Sequence, residues 1–144
     1  MGNLAPDFTL WDVDGRKVSL SSYHGQPVVL FFWATWCPYC RAQIESLADL
    51  YDTYKDAGLV ILAVDVDENA DTGRSFRKKH EIKFPILDDW ALTAFTLYKG
   101  RVVPVTYFID QGGRINHFAV GQMDPSSLNI QARAILNLLP TAVP

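Results

Sequence analysis

The amino-acid sequence predicts an α/β fold built on a central mixed β-sheet. Two runs of apolar and β-branched residues, at 28–33 and 59–66, are typical of strands that are covered on both faces. Between them, apolar residues recur at three- and four-residue spacing, which indicates an amphipathic helix. A strand, a helix and a second strand in this order predict a right-handed crossover between parallel strands. We therefore expect a partly parallel sheet flanked by helices.

Local patterns support the elements on either side of this crossover. Alternating strands around Asp14-Gly15 predict an N-terminal β-hairpin. Asp124-Pro125 predicts a helix N-cap with proline in the first turn, and the apolar face of that helix extends to Leu139, before Pro140. In chain order we predict a hairpin of strands at 8–11 and 17–20, a helix from near Pro38 to Gly58, a helix around 76–80, a short helix at 90–97, a second hairpin of strands at 105–110 and 114–120, and the closing helix.

The length and composition are those of one globular domain, and we predict a single domain over residues 1–144. Hydrophobic residues make up 49% of the chain, and the net charge of −3 includes no run of five like charges. This distribution argues against a nucleic-acid partner and a polybasic membrane surface. The longest apolar run, at 27–36, has about half of the roughly 18 residues that a membrane span needs. We expect a monomer.

Both cysteines of the chain lie in one C-x-x-C motif, formed by Cys37 and Cys40, between a buried strand and a helix. The N-terminus of a helix presents unpaired N–H groups and a partial positive charge, which favour a thiolate at Cys37. Cys40 should lie one turn later, less exposed and with a higher pKa. Cys37 would then attack a substrate disulfide, and Cys40 would resolve the mixed disulfide. This chemistry needs no bound cofactor beyond the Cys37–Cys40 disulfide itself.

Other uses of the motif have less support in the sequence. A closed zinc site needs four ligands, and none of the three histidines pairs with the motif in a zinc-binding pattern. A structural disulfide across three residues would close too small a loop to stabilise much. Binding of Cu(I) by Cys37 and Cys40, with His117 as a third ligand, suits soft ligands and is kept as the alternative function. We otherwise predict no metal site.

The segment FFWATWCPYC, residues 31–40, closely resembles the active site of the thioredoxin fold. Within it, WATWC is similar to the TlpA/ResA-like branch of thiol-disulfide oxidoreductases, in the AhpC/TSA (redoxin) superfamily. Residues 5–37 resemble that family's opening, in which a hairpin precedes the core, and 64–89 resemble its inserted helix. Residues 102–115 resemble its cis-proline strand and hairpin. The resemblance covers the chain from Leu4 to Leu139 and implies a thioredoxin-like fold.

The resemblance also implies a substrate site around Cys37. Pro104 would be a cis-proline opposite Cys37, and the backbone of Val103 would pair with an extended substrate segment, as in β-strand addition. Trp36 would contact the substrate, and Pro38 and Tyr39 would complete the site. Although Pro38-Tyr39 is also the pair found in glutaredoxins, the N-terminal hairpin and the inserted helix argue against a glutathione site.

The family implies a location outside the cytoplasm, such as the periplasm, with a leader or membrane anchor that these residues do not include. Reduction of disulfides in extracytoplasmic proteins, in support of cytochrome c maturation and redox homeostasis, is the expected role. The partners would be protein thiol or disulfide substrates and a membrane or soluble electron donor.

Two departures from the family pattern concern proton transfer. Thioredoxins have a buried aspartate six residues before the first cysteine, where Phe31 stands, and some ResA-like proteins have a glutamate three residues after the second, where Gln43 stands. Neither position can supply an acid that moves the Cys40 proton. Glu45 should face solvent, and a proton relay is its alternative role. The peroxidase motif of peroxiredoxins is also absent, because Leu30 and Ala34 replace its proline and threonine.

Overall fold

A computed structural model describes residues 2–67 and 69–138. The elements of these residues, in chain order, are β1 (Thr9–Asp12), β2 (Lys17–Ser19), β3 (Val28–Trp33), α1 (Pro38–Tyr54), β4 (Val60–Asp65), α2 (Ala70–Lys79), β5 (Ile86–Asp88), α3 (Thr93–Leu97), β6 (Val105–Ile109), β7 (Ile115–Val120) and α4 (Pro125–Ile135). No helix among the described residues is both long enough and apolar enough to cross a bilayer.

The strands form one mixed sheet in the order β2-β1-β5-β4-β3-β6-β7. The pairs β3/β4 and β4/β5 are parallel, and the other pairs are antiparallel. The predicted partly parallel sheet and both predicted hairpins are therefore confirmed. Strand β5 is not among the predicted elements, because its three residues are too few to establish a periodicity.

Strand β3 is the centre of the core and is buried along its whole length. Its side chains alternate between two apolar clusters on opposite faces of the sheet. Phe31 and Trp33 face the cluster that includes residues of α1, α2 and α4, whereas Leu30 and Phe32 face the cluster that includes Ala94 of α3 and residues of the N-terminal hairpin. Helices therefore cover both faces, which explains the continuous apolar sequence of this strand.

Capping residues decide where two helices begin. Helix α2 begins at Ala70, well before the predicted 76–80, because the side chain of Asn69 accepts a hydrogen bond from the Asp71 N–H. Helix α3 begins only at Thr93, because Leu92 before it has a left-handed backbone with φ of 57°. The predicted Asp124 cap of α4 is confirmed by a 2.7 Å bond from the Ser127 N–H. Leu139 and Pro140 lie outside the described residues.

The topology brings the candidate site to one edge of the sheet. The parallel strands β3, β4 and β5 all end at this edge, and antiparallel β6 begins there, with Val105 opposite Phe32. The cysteine motif follows β3, and Pro104 precedes β6. Two segments that are more than sixty residues apart in the chain thus meet at the end of the central strand.

Candidate active site

The cysteine motif forms the N-terminus of α1. Cys37 is the N-cap residue with extended backbone, Pro38 lies in the first turn, and the Cys40 N–H donates to the Cys37 Sγ at 3.3 Å. The two side chains are also in hydrogen-bonding contact, and both are free thiols in this structure. The predicted placement of the pair at a helix start is confirmed.

The environments of the two thiols differ. Cys40 is completely buried, whereas 5% of the surface of Cys37 is exposed. Burial, followed by contact with Cys37, raises the pKa of Cys40 well above the usual range for cysteine, and the charge of Asp67 acts in the same direction. The backbone N–H of Ala34 partly opposes this shift. As predicted, Cys40 is the more buried of the two cysteines, and its pKa is raised.

The other residues of the predicted substrate site lie at the same edge of the sheet. Trp36 and Tyr39 are 69% and 66% exposed, and Pro38 between the cysteines is also exposed. Val103 is half-buried and Pro104 is buried, and the peptide bond between them is cis. The Pro104 carbonyl accepts a 2.8 Å hydrogen bond from the N–H of Gly121. Large aromatic surfaces next to Cys37 are therefore open to a partner.

Gln43, at one of the two positions without an acid, connects three parts of the fold. Its side chain is fully buried. The Nε2 group donates to the Thr106 Oγ1 at 2.7 Å, and the Oε1 accepts from the Met123 N–H at 2.8 Å. Gln43 thus ties α1 to β6 and to the segment before α4. This role of Gln43 is not predictable from the sequence, because both partners are more than sixty residues away.

Replacing Gln43 with leucine should lower the free energy of unfolding by about 2–4 kcal/mol, because the Thr106 hydroxyl and the Met123 N–H would each stay buried without a partner. Urea denaturation followed by circular dichroism measures the change. Gln122→Leu is the matched control: Gln122 is exposed and should change stability by less than about 0.5 kcal/mol. Equal effects of the two variants would contradict the structural role of Gln43.

Two buried acids next to the motif were not identified from the sequence. Asp65 ends β4 and is 1% exposed, and Asp67 is 7% exposed. One oxygen of Asp67, Oδ2, accepts from the Thr35 N–H at 3.0 Å, from the Thr35 Oγ1 at 2.7 Å and from the Thr72 Oγ1 at 3.3 Å. The Asp67 N–H donates to the Asp65 Oδ1 at 2.9 Å. The pair therefore connects the loop before Cys37 with the first turn of α2.

The pKa values of the two acids move in opposite directions. Burial, and then the hydrogen bond with Asp67, raises the pKa of Asp65 to about 8. Burial also acts on Asp67, but hydrogen bonds from Asp65, Thr35 and Thr72 outweigh it and lower the pKa of that carboxyl. At neutral pH the pair holds one proton on Asp65 and one negative charge on Asp67. Glu45, in contrast, is exposed on α1, as predicted.

The described residues do not bring His117 into a metal site with the cysteines. His117 lies on β7 with its ring 6.0 Å from that of Phe108, centroid to centroid. No three histidine, cysteine, aspartate or glutamate side chains within 2–67 and 69–138 are placed to share a metal ion. The arrangement at the helix start is a dithiol beside a buried acid pair, which is suited to thiol-disulfide exchange.

Comparison with known proteins identifies the family. Residues 1–118 match the AhpC/TSA family. The thiol-disulfide oxidoreductase ResA of Geobacillus kaustophilus is 33% identical over 94% of this chain and 78% of its own length, and ResA of Bacillus cereus strain ZK is 31% identical over 89% and 74%. Both relatives are named as thiol-disulfide oxidoreductases, and the dithiol of this chain is suited to that reaction.

Solved structures agree with this assignment. A thiol:disulfide interchange protein of DsbE type from Chlorobium tepidum is 31% identical and superposes with a TM-score of 0.88, over 94% of this chain and 96% of that one. The exposed lipoprotein thioredoxin Etrx1 of Streptococcus pneumoniae is 29% identical with a TM-score of 0.78, over 90% and 99%. The fold is thioredoxin-like. The chain belongs to the AhpC/TSA family, and it is a thiol-disulfide oxidoreductase similar to ResA.

Proposed function

We propose that this protein reduces disulfides of proteins outside the cytoplasm, with Cys37 as the attacking thiol and Cys40 as the resolving thiol. The observation that carries the proposal is the asymmetric dithiol at the start of α1. Cys37 is the more exposed of the two residues and its Sγ accepts a hydrogen bond from the Cys40 N–H, whereas Cys40 is fully buried and its pKa is raised. A substrate sulfur therefore meets Cys37 first.

The reaction conserves two electrons and two protons. The Cys37 thiolate attacks one sulfur of the substrate disulfide, and the other sulfur leaves as a thiolate that takes up a proton. Cys40 then loses its proton and attacks the Cys37 sulfur, which forms the Cys37–Cys40 disulfide and releases the second substrate thiol. An external donor, membrane-bound or soluble, returns two electrons and two protons to the protein. No bound cofactor takes part.

The exposed groups next to Cys37 would hold an extended substrate segment. The aromatic side chains of Trp36 and Tyr39 offer apolar contact, and Pro38 lies between them. The backbone of Val103, before the buried Pro104, would pair with the substrate chain as an added strand. Pairing through the backbone requires an extended substrate segment but places few requirements on its side chains, which fits unfolded protein substrates. The protein would act as a monomer.

The similarity to ResA supports a role like cytochrome c maturation, in which the substrate is a C-x-x-C-H segment that must be reduced before haem attachment. A location outside the cytoplasm is supported by the 29% identical Etrx1, which is described as an exposed lipoprotein. Direct reduction of such a segment distinguishes this role from general disulfide reduction.

Trapping tests the roles of the two cysteines and the substrate class. Cys40→Ser, mixed with an oxidised C-x-x-C-H peptide, should accumulate a mixed disulfide with Cys37, detected by mass spectrometry. The double variant Cys37→Ser/Cys40→Ser is the control and should give none. An oxidised peptide of the same composition in scrambled order should form at least about tenfold less adduct if the segment is recognised. The absence of any adduct, together with Cu(I) binding that the wild type shows and Cys40→Ser loses, would support the copper-carrier alternative.

The direction of the reaction is tested by the midpoint potential of the Cys37–Cys40 couple. Equilibration in glutathione or dithiothreitol buffers, read by thiol alkylation, should give a value near or below about −250 mV, as expected of a reductant. A value above about −150 mV would instead indicate an oxidant or an isomerase.

A further inference from the structure

Two carboxyl groups are buried beside the active-site loop, where the fold alone would favour apolar side chains. Asp65 on β4 is in register with Trp33 on β3, so both side chains lie on the sheet face that α2 covers. A Cβ at Gly73 of α2 would lie 2.6 Å from the Asp65 Oδ2, so glycine at this position leaves room for the carboxyl group. Burial of an unpaired charge costs several kcal/mol. A buried acid pair therefore needs partners on every side.

Asp67 has its partners in the active-site loop. Its Oδ2 accepts from the N–H and the hydroxyl of Thr35, which is two residues before Cys37, and from the hydroxyl of Thr72 in α2. The neighbouring Ala34 carbonyl accepts from the Cys37 N–H at 3.2 Å, and the Ala34 N–H contacts the Cys40 thiol. The Asp67 Oδ2 thus fixes Thr35, and the backbone of the adjacent Ala34 contacts both cysteines.

Asp65 holds Asp67 in turn through a shared proton. The two carboxyl groups are in hydrogen-bonding contact, in which the protonated Asp65 donates to the Asp67 carboxylate. The Asp67 N–H donates back to the Asp65 Oδ1. If both carboxyl groups were ionised while in contact, they would repel each other. The geometry of the pair therefore depends on that one proton.

We propose that the Asp65–Asp67 pair positions the Thr35 loop for thiol-disulfide exchange, and that the loop loses this support when the pair gives up its shared proton. The two aspartates act through Thr35 and are positioning residues. The proposal rests on the exchange reaction proposed above, and it adds a pH limit to that reaction.

The groups that face the pair set this limit just above neutral pH. Asp67 follows the same strand and Asp88 lies on β5, and both are acids that raise the pKa of Asp65, after the larger effect of burial. Burial raises the pKa of Asp88 itself, and the charge of Arg74 on α2 partly opposes that shift. On α1, the Cys40 thiol responds to the charge of Asp67. Since the pKa of Asp65 is raised to about 8, alkaline pH doubles the negative charge of the pair.

The pH profile of the exchange reaction tests the proposal. The reduced protein is mixed with the small disulfide 5,5′-dithiobis(2-nitrobenzoate), and the single-turnover rate is measured between about pH 6 and 10. The exchange rate of a thiol normally increases with pH because more thiolate forms. Above about pH 8 the wild-type rate should increase less than this. In Asp65→Asn the amide donates permanently to Asp67, so this shortfall should disappear. At about pH 9, where nine in ten pairs have ionised, the variant should react about tenfold faster than the wild type.

Two further variants separate positioning from a general structural effect. Asp65→Ala removes the donor from every molecule at every pH, so its rate at neutral pH should be at least about tenfold lower than the wild-type rate. Asp89→Asn is the matched control, because Asp89 is an acid at the same sheet edge and is buried like Asp65, with 2% of its surface exposed. Its carboxylate instead accepts from the Ala94 and Phe95 N–H groups of α3. It should keep the wild-type profile.

Coinciding profiles of the wild type and Asp65→Asn, with both proteins active, would overturn the proposal and leave the proposed function intact. A lack of exchange in the wild type itself would overturn the proposed function. NMR on the wild type provides a second test that needs no variant. The Thr35 amide resonance should shift with the same midpoint as the Asp65 carboxyl resonance, and a Thr35 amide that does not follow Asp65 would also overturn the proposal.

Discussion

Replacement of Cys37 with serine is expected to lower the rate of disulfide reduction on the order of 10⁴-fold or more, because the variant has no accessible thiolate. A serine hydroxyl is not ionised at neutral pH and is a poor nucleophile towards a disulfide sulfur. The remaining thiol cannot substitute, because Cys40 is completely buried and its raised pKa keeps it protonated. Steady-state reduction of an oxidised peptide, coupled to dithiothreitol, measures the loss.

Cys40→Ser is the matched control for this experiment, since it also removes one sulfur from the motif. It should still complete the first half of the reaction, in which Cys37 forms a mixed disulfide, and should fail only in the second. Residual turnover of Cys37→Ser within about tenfold of the wild type would contradict the assignment and make Cys40 the attacking thiol.

The fold could be predicted largely from short patterns. The strand 28–33 is a continuous apolar run because it is buried on both faces, and the helix that follows it has a clear three- and four-residue periodicity because it is buried on one. The order of elements then limits the sheet to right-handed crossovers. The errors lie where local signals are weak: β5 has only three residues, and α2 begins six residues before the apolar residue Phe76 that indicated it.

The candidate site could be predicted only as far as its residues are neighbours in sequence. The cysteine motif is local, and the similarity of its context to a known family added Pro104. The bonds of Gln43 to Thr106 and Met123 cross more than sixty residues and follow no periodicity. The acid pair did leave a signal: Asp65 and Asp67 alternate with valine at the end of a buried strand, where charged residues are costly. Such a signal indicates that partners exist without identifying them.

Phe31→Asp, which introduces the buried acid of thioredoxins, is expected to destabilise this protein by about 4 kcal/mol or more. Phe31 is completely buried in the apolar cluster that also contains both cysteines, so the change leaves a cavity and a polar group there. Burial should raise the pKa of the introduced carboxyl. Such a group is tolerated at low pH while it is protonated, and its stability contribution falls as pH rises above its unfolded value of about 4, by about 1.4 kcal/mol per pH unit.

Phe31→Asn separates the two effects, because it leaves the same cavity but does not titrate. The urea midpoint of the aspartate variant should approach that of the asparagine variant at about pH 5 and fall well below it at about pH 8. Equal midpoints at both pH values would mean that a carboxyl group is solvated at this position.

An acid at position 31 and the native Asp67 differ in the hydrogen-bond donors that are available to them. Within β3, neighbouring strands occupy the backbone N–H groups, whereas at the end of β4 the Thr35 N–H and two threonine hydroxyls are available to Asp67. A buried carboxylate in this chain is therefore stable at Asp67, beside the active-site loop, and not at position 31 within β3.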